Sequence, residues 1–513
     1  YQANAFLTVF SGLVSTADWI GSMEKFFPYV DAPVEPARYA EVAMSQARRA
    51  LHTLGWVGWQ PPEKAVSFQD IFPFAPNSMQ ETVIDLAQDI QEPALVIIEA
   101  PTGCGKTEAA FYLANHWARI GRQRGMYVAM PTMATSNQMF YRACDFLQSC
   151  YPDDLINIHL IHSQSRWRED MEHLTLKTFD DREGGTLAAM AWFLPRKRSL
   201  LASFGVGTVD QSLLSVLQAR HFFIRLFGLS HKTIIFDEVH AYDTYMSTIF
   251  QRLLRWLRAV GASVVILSAT LPEQTRRQLL QAYLGCKESA ARDDLSSGAY
   301  PSVTWASGEE VGSIPLPIPE NRHINLEWID GEPQSLADRL RIDLAGGGCA
   351  AVICNTVRRA QDIYQAIKEA RIVPDGDVIL FHARFPVAWR NGIEQRVLDD
   401  FGKGTGHKRP QKAIVVATQV IEQSLDLDFD LMVTDLAPVD LVLQRAGRLH
   451  RHEREQRPET LKTPRLLIAK PGIKGEVPDF GNSDWIYDCY ILLRSYVVLQ
   501  DCQELVLPGE TVN

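Results

Sequence analysis

Leu95-Val96-Ile97-Ile98-Glu99-Ala100-Pro101-Thr102-Gly103-Cys104-Gly105-Lys106-Thr107 places an apolar run directly before a glycine-rich turn, and a helical pattern follows at once. The run reads as a buried strand, and Ala110, Leu113, Ala114, Trp117 and Ala118 recur at helical spacing until Gly121. A turn so flanked makes a phosphate cradle. Gly103 and Gly105 let backbone N–H groups approach a nucleotide's phosphates, Lys106 can reach the β/γ oxygens, and the Thr107 hydroxyl can hold Mg²⁺. Pro101, Thr102 and Cys104 complete the loop, and the helix that follows turns its polarised N-terminus toward the same phosphates.

Downstream, Thr233-Ile234-Ile235-Phe236 reads as a second buried strand that delivers Asp237-Glu238-Val239-His240 at its C-terminal end, where ligands gather in open α/β sheets. Asp237 is the candidate metal carboxylate, and Glu238 is placed to orient or deprotonate an attacking water. Farther on, Gln444-Arg445-Ala446-Gly447-Arg448-Leu449-His450-Arg451 spaces three arginines at intervals of three, nearly one above another if the segment is helical. Planar guanidinium groups suit a triphosphate better than lysines do. Arg448 and Arg451 are therefore candidate fingers offered by a separate β/α segment.

The 513 residues suggest about three domains. A net charge of −10 argues against a globally basic nucleic-acid coat, so any such contact must use local patches. Eight cysteines without a Cys-x-x-Cys pair, one of them inside the cradle, fit free thiols in a reducing cytoplasm. No apolar run is long enough to span a membrane.

Residues 1–60 read as helical, with Phe6, Val9, Phe10, Leu13 and Val14 on one stripe. A first α/β domain is expected over 61–300 and a Ser/Gly/Pro-rich linker over 301–320. A second parallel-sheet domain without a cradle follows over 321–480, then a helical segment over 481–513. Residues 403–412 read as a basic loop, and Arg166, Arg168 and Arg196-Lys197-Arg198 are further basic clusters. His159 and His162 lack companion ligands, so a structural role is the better reading.

The set of motifs resembles a superfamily-two helicase of the DExH kind: two tandem RecA-like parallel-sheet domains in an α/β fold. By that resemblance Gln80, after the aromatic Phe74, reads adenine, and His240 pairs with Gln444 across the cleft. Thr132, Ser136, Asn137, Thr208 and Gln211 on the first domain, with Asn355, Thr356, Arg384 and Thr418 on the second, track a strand, and Asp426 joins the nucleotide contacts.

More narrowly, Ala17-Asp18-Trp19-Ile20-Gly21-Ser22, Val206-Gly207-Thr208-Val209-Asp210-Gln211, Asp237 with Tyr242-Asp243, His382-Ala383-Arg384-Phe385 and Glu422-Gln423-Ser424-Leu425-Asp426-Leu427-Asp428 are similar to the CRISPR-associated helicase-nuclease of type I systems. The resemblance implies an ATP- and Mg²⁺-dependent motor moving 3′ to 5′ on single-stranded DNA exposed by a guide-RNA surveillance complex, cytoplasmic and without a membrane. It also makes the N-terminal helices the remnant of an HD nuclease domain. Asp18 then matches one ligand of an incomplete metal site, a transition metal belongs only to a full HD domain, and no nuclease activity is expected of this chain alone. A C-terminal lid domain would lie beyond residue 513. Two other readings stay open: a DExH enzyme acting on RNA or remodelling a nucleoprotein complex, and a nucleotide-gated binding module with little turnover.

Overall fold

The computed structural model describes the chain apart from residues 1, 31–32, 58, 62–63, 91–92, 102, 122, 153, 162–185, 189–190, 194–197, 218, 240–243, 286–299, 318–320, 403–408, 423–425, 455–456, 476 and 508–513. It divides into two units, Tyr1–Ile318 and Pro319–Asn513.

The strands of the first unit are β1 (Ala94–Glu99), β2 (Met126–Met130), β3 (Leu155–Ile161), β4 (Thr186–Ala188), β5 (Phe204–Thr208), β6 (Thr233–Phe236), β7 (Ser263–Ser268), β8 (Ser302–Ser307) and β9 (Glu310–Pro315). They form one sheet in the order β4-β3-β5-β2-β6-β7-β1-β8-β9. The pairs from β4 to β1 are parallel, whereas β8 joins β1 and β9 in antiparallel fashion. Alternate side chains of a strand enter opposite faces. Val96 and Ile98 accordingly lie in one apolar core with the helices Ser78–Asp89, Lys106–Ile120 and Met133–Cys150. Leu95 and Ile97 lie in the other with Thr244–Ala259 and Glu273–Leu284. Cover on both faces explains why the parallel strands read as unbroken apolar runs.

Two expectations are corrected in this unit. The segment expected as a linker over 301–320 contains β8 and β9, so the sheet extends past residue 300. Composition hid them because an antiparallel addition at the sheet's edge does not need a continuous apolar run. The N-terminal apolar stripe faces largely outward: Phe6, Phe10, Leu13 and Val14 are all at least 49% exposed, and Val9 alone of the five is half-buried against the core. On the helix Gln2–Gly21 it is the face of Ala5, Gly12, Thr16 and Ile20 that is buried. A Cβ at Gly12 would collide with Phe227, so glycine permits close approach to the helix Phe222–Leu229. The helices Gln2–Gly21 and Pro36–Thr53 thus pack as part of the first unit rather than as a body of their own.

The second unit contains β10 (Arg322–Ile329), β11 (Gly348–Ile353), β12 (Val378–Phe381), β13 (Lys412–Ala417), β14 (Leu431–Asp435) and β15 (Arg465–Ala469). A small hairpin, β16 (Gly472–Lys474) and β17 (Val477–Asp479), precedes β18 (Glu504–Leu507). The sheet order is β12-β13-β11-β14-β15-β10-β18, parallel except for the β10–β18 pair. In the C-terminal segment a 3-10 helix over Gly481–Trp485 precedes the α-helix Cys489–Leu499, and Glu504–Leu507 returns as a strand of the same sheet. The α/β class and two parallel sheets agree with the sequence.

Candidate functional site

In the first unit β1, β2 and β6 lead at their C-terminal ends into Ala100, Pro131 and Asp237, and β5 and β7 end on Thr208 and Ser268, so the motif residues gather at one edge of one sheet. Gly103 and Gly105 have φ of +91° and +82°. A side chain at Gly105 would also overlap Gln80 Nε2. That closeness has a purpose: Gln80 Nε2 donates to Gly105 O at 3.1 Å and Asn77 Nδ2 donates to Cys104 O at 2.9 Å. Asn77 and Gln80 form a reciprocal capping box at the start of their own helix, which fixes both side chains.

Lys106 Nζ donates to Ala100 O at 2.5 Å and Pro101 O at 3.1 Å, and Cys104 Sγ donates to Pro101 O at 2.6 Å. The loop is therefore shaped by its own residues. Thr107 is buried in the first turn of the helix Lys106–Ile120, and Thr102 lies outside the described residues. Gln80 itself is buried, with its amide committed to the cradle. Its position accounts for a bracing role; adenine reading remains an expectation.

Asp237 follows β6, its N–H donating to Ala129 O at 3.1 Å. Its carboxylate accepts from the Glu238 N–H at 3.0 Å. Glu238 has φ of +54°, a backbone state that a non-glycine residue adopts at a cost and that clusters at functional sites. Burial first, then the Glu238 charge, pushes the Asp237 carboxyl up to about 6, against the opposing pull of Lys106 and Arg142. An anion so destabilised suits a hard cation, and Thr107 with Asp237 supplies the oxygen donors that Mg²⁺ prefers. Arg142, ion-paired with Glu108 at 2.5 Å, was not legible as a site residue. His240 lies outside the described residues, as do His162, Arg166, Arg168, Arg196 and Lys197.

The expected strand contacts look different in three dimensions. Thr132 caps the helix Met133–Cys150, and Ser136 is buried, donating to Thr132 O at 2.8 Å. Asn137 and Thr208 are buried, and Gln211 accepts from Arg225 at 3.2 Å. His159 is structural: buried, bonded to Asn157 at 2.8 Å, and driven by burial to a pKa of about 3. Asp18 is exposed, and among the described residues no group of three His, Cys, Asp or Glu side chains could hold a metal.

In the second unit the three arginines do not stack on one helix, which corrects the sequence reading. The helix Val439–Ala446 ends before Gly447, and a bridge between Leu449 and Phe429 draws the chain out. Arg445 is fully buried: Nε donates to Glu422 at 2.7 Å, Nη1 to Thr434 Oγ1 at 2.5 Å, and Nη2 to Asn355 and Tyr487 at 3.4 Å each. Arg448 is also buried and donates to the Glu422 carbonyl. Arg451 pairs with Asp426 at 2.7 Å, and His452 lies 3.2 Å from the same carboxylate, which is 46% exposed.

Asn355 is one of the residues expected against a strand. It is buried, with Nδ2 donating to Leu436 O at 2.7 Å and Ser483 Oγ at 3.0 Å. Thr356 caps the helix Val357–Glu369, Thr418 is buried, and Arg384 is exposed. Asp428 is the hub that holds the arginine segment: it accepts from the Arg451 N–H at 2.8 Å and pairs with Arg409, Arg454 and Arg457. Burial pushes its carboxyl up, but the bonds from Arg457 and Arg454 outweigh that and hold it below the ordinary carboxylate range. Arg409 of the expected basic loop is thereby tied down.

The geometry can be set beside known proteins. Residues 346–454 match the family model for the C-terminal part of the CRISPR-associated nuclease/helicase Cas3. A Thermus thermophilus CRISPR-associated endonuclease/helicase Cas3 is 41% identical over 97% of this chain and 58% of its own length. The crystal structure of T. fusca Cas3 with AMPPNP superposes with a TM-score of 0.85 at 33% identity, over 98% of this chain and 59% of that one. A chain of a CRISPR RNA-guided surveillance complex in a pre-nicking state superposes at 0.73 with 32% identity, over 96% of this chain and 55% of that one. The chain spans a little over half the length of the relatives it matches.

Proposed function

Since the chain belongs to the CRISPR-associated Cas3 nuclease/helicase family, we propose that it is an ATP-dependent single-stranded-DNA translocase and helicase moving 3′ to 5′ in type I CRISPR interference. A cytoplasmic setting and a surveillance complex as partner belong to the same proposal. No described helix is long and apolar enough to cross a membrane.

The single observation that carries the reading is the joining of the Gly105 cradle, braced by Gln80, to the Asp237–Glu238 pair at one sheet edge. Lys106 exchanges its loop carbonyls for the β/γ oxygens, and the helix N-terminus offers its amides. Thr107 and Asp237 would hold Mg²⁺, which when bound neutralises phosphate charge. Glu238 orients the attacking water and takes its proton. In the second unit Arg451 is the better guanidinium donor for hydrolysis. Its partner Asp426 is half exposed, whereas Arg448 is buried and held by Glu422.

Thr132 and Thr356 cap helices whose first turns present backbone N–H groups, so the proposed strand contacts are amides to phosphates rather than side chains to bases. Such contacts are sequence-tolerant and weaken with salt. ATP turnover with single-stranded DNA, single-stranded RNA or neither tests the function. Strong stimulation by DNA supports it, preference for RNA favours another DExH substrate, and no stimulated turnover favours a binding module.

A further inference from the structure

The stretch between the β16–β17 hairpin and β18, read from the sequence only as helical, reaches the motif residues of the second unit. Tyr487 OH accepts from Gln419 Nε2 at 3.1 Å and from Arg445 Nη2 at 3.4 Å. Ser483 Oγ, one turn earlier, accepts from Asn355 Nδ2 at 3.0 Å. The short 3-10 helix Gly481–Trp485 and the Tyr487 N–H to Ser483 O bond of 2.9 Å hold the two oxygens together. Gln419 also donates to Asn355 O at 2.9 Å, which closes a ring of Asn355, Gln419, Tyr487 and Arg445.

Three of these residues follow the C-terminal ends of different strands or sit on the helix that follows one: Asn355 after β11, Gln419 after β13 and Arg445 after β14. Asn355 and Gln419 adjoin Thr356, which belongs to the strand-binding set of the proposed function, and Thr418, which the family resemblance adds to it. Arg445 begins the segment that carries Arg448 and Arg451, and it is fully buried against Glu422. One phenolic oxygen therefore joins the segment assigned to the strand with the segment assigned to hydrolysis.

We propose that Tyr487, seconded by Ser483, is a positioning residue that couples occupancy of the strand-binding segments to ATP turnover. The inference rests on the function proposed above. Its physical basis is geometric: a displacement of Gln419 or Thr418 by a bound strand is passed to Arg445 through a shared acceptor. Arg445 has no slack in the core to absorb the displacement. Networks of this kind act as units, so removing one shared acceptor weakens the link between its two donors, leaving only the longer path through Asn355, without removing either.

Tyr487→Phe deletes only the oxygen and keeps the ring packed against the apolar core of the second unit. The test is steady-state ATP turnover of wild type, Tyr487→Phe, Ser483→Ala and the double variant, with and without single-stranded DNA. The melting temperature and DNA affinity of each are measured alongside. The expected result for Tyr487→Phe is a fall of roughly fivefold in the ratio of DNA-stimulated to unstimulated turnover, about 1 kcal/mol at the standard conversion. Melting temperature and DNA affinity should stay close to wild type. Ser483→Ala should act in the same direction, and the double variant should fall short of the product of the two single effects. An unchanged ratio in both single variants, or a fall that merely tracks lost stability, overturns the coupling role while leaving the motor intact. Wild type that DNA does not stimulate overturns the function and the inference together.

Discussion

Gly105→Ala is the sharpest perturbation of the nucleotide cradle, because two separable penalties meet at one atom. The φ of +82° costs a residue with a Cβ about 1–2 kcal/mol. The added carbon also overlaps Gln80 Nε2 and evicts that amide from its bonds to Gly105 O and Asn77 N, worth about 1 kcal/mol each. The loop should thus lose about 3–4 kcal/mol of preference for its binding shape, which is roughly 150-fold or more in ATP affinity. Gln80→Ala alone should lose about 2 kcal/mol, and in its background Gly105→Ala should cost only the φ penalty, since the collision is gone. Titration of a fluorescent ATP analogue into the wild type, both single variants and the double variant measures this directly. The double variant should bind about as weakly as Gly105→Ala alone. Strict additivity, within about 0.5 kcal/mol, refutes the contact between the two residues. Equal losses for ATP and GTP in Gln80→Ala would assign that residue to bracing alone, and a selective loss for ATP would restore adenine reading.

In the second unit, Arg445→Ala leaves Glu422 charged and buried, and should lower urea-unfolding stability by about 3–5 kcal/mol, with partial recovery when Glu422→Gln is added. Arg451→Ala should reduce turnover by about three orders of magnitude while the ATP dissociation constant moves little; equal loss of both would shift the finger to Arg448. Burial lowers the pKa of Lys232 to about 7, although its ammonium donates to Leu200 O at 2.8 Å and to Ala202 O. The unfolded chain therefore binds the extra proton between about pH 7 and 10.5, the ordinary lysine value, and stability should rise with pH across that window. Thermal melts of wild type against Lys232→Met should show wild type gaining by up to about 2 kcal/mol from pH 7 to 8.5, and a pH-independent difference would contradict a depressed lysine. Asp428, whose pKa is lowered, contributes stability above the ordinary carboxylate value that is lost as pH falls through its folded value; Asp428→Asn should remove that part of the acid transition.

Much of the fold was legible because buried parallel strands leave continuous apolar runs, as in Leu95-Val96-Ile97-Ile98 and Ile414-Val415-Val416-Ala417. Strands outside that rule escaped. β8 and β9 join antiparallel in a segment with linker composition, and β18 follows a helix at the far edge of its sheet. Glycine spacing located the cradle, but its brace depends on Asn77 and Gln80, whose only local signal is a capping box. Arginine spacing located a functional segment and misread its shape, because Gly447 and the Phe429–Leu449 bridge end the helix early. The roles of Arg142, Asp428 and Tyr487 depend on long-range partners that no periodicity encodes.

The proposed motor is tested most directly by displacement of streptavidin from single-stranded DNA biotinylated at one end or the other, with ATP, using wild type and Lys106→Ala. Wild type should clear the 5′ end much faster than the 3′ end, and Lys106→Ala should clear neither while keeping the wild-type circular dichroism spectrum. Displacement that survives Lys106→Ala, or DNA-stimulated turnover that clears neither end, would contradict a motor driven from this cradle.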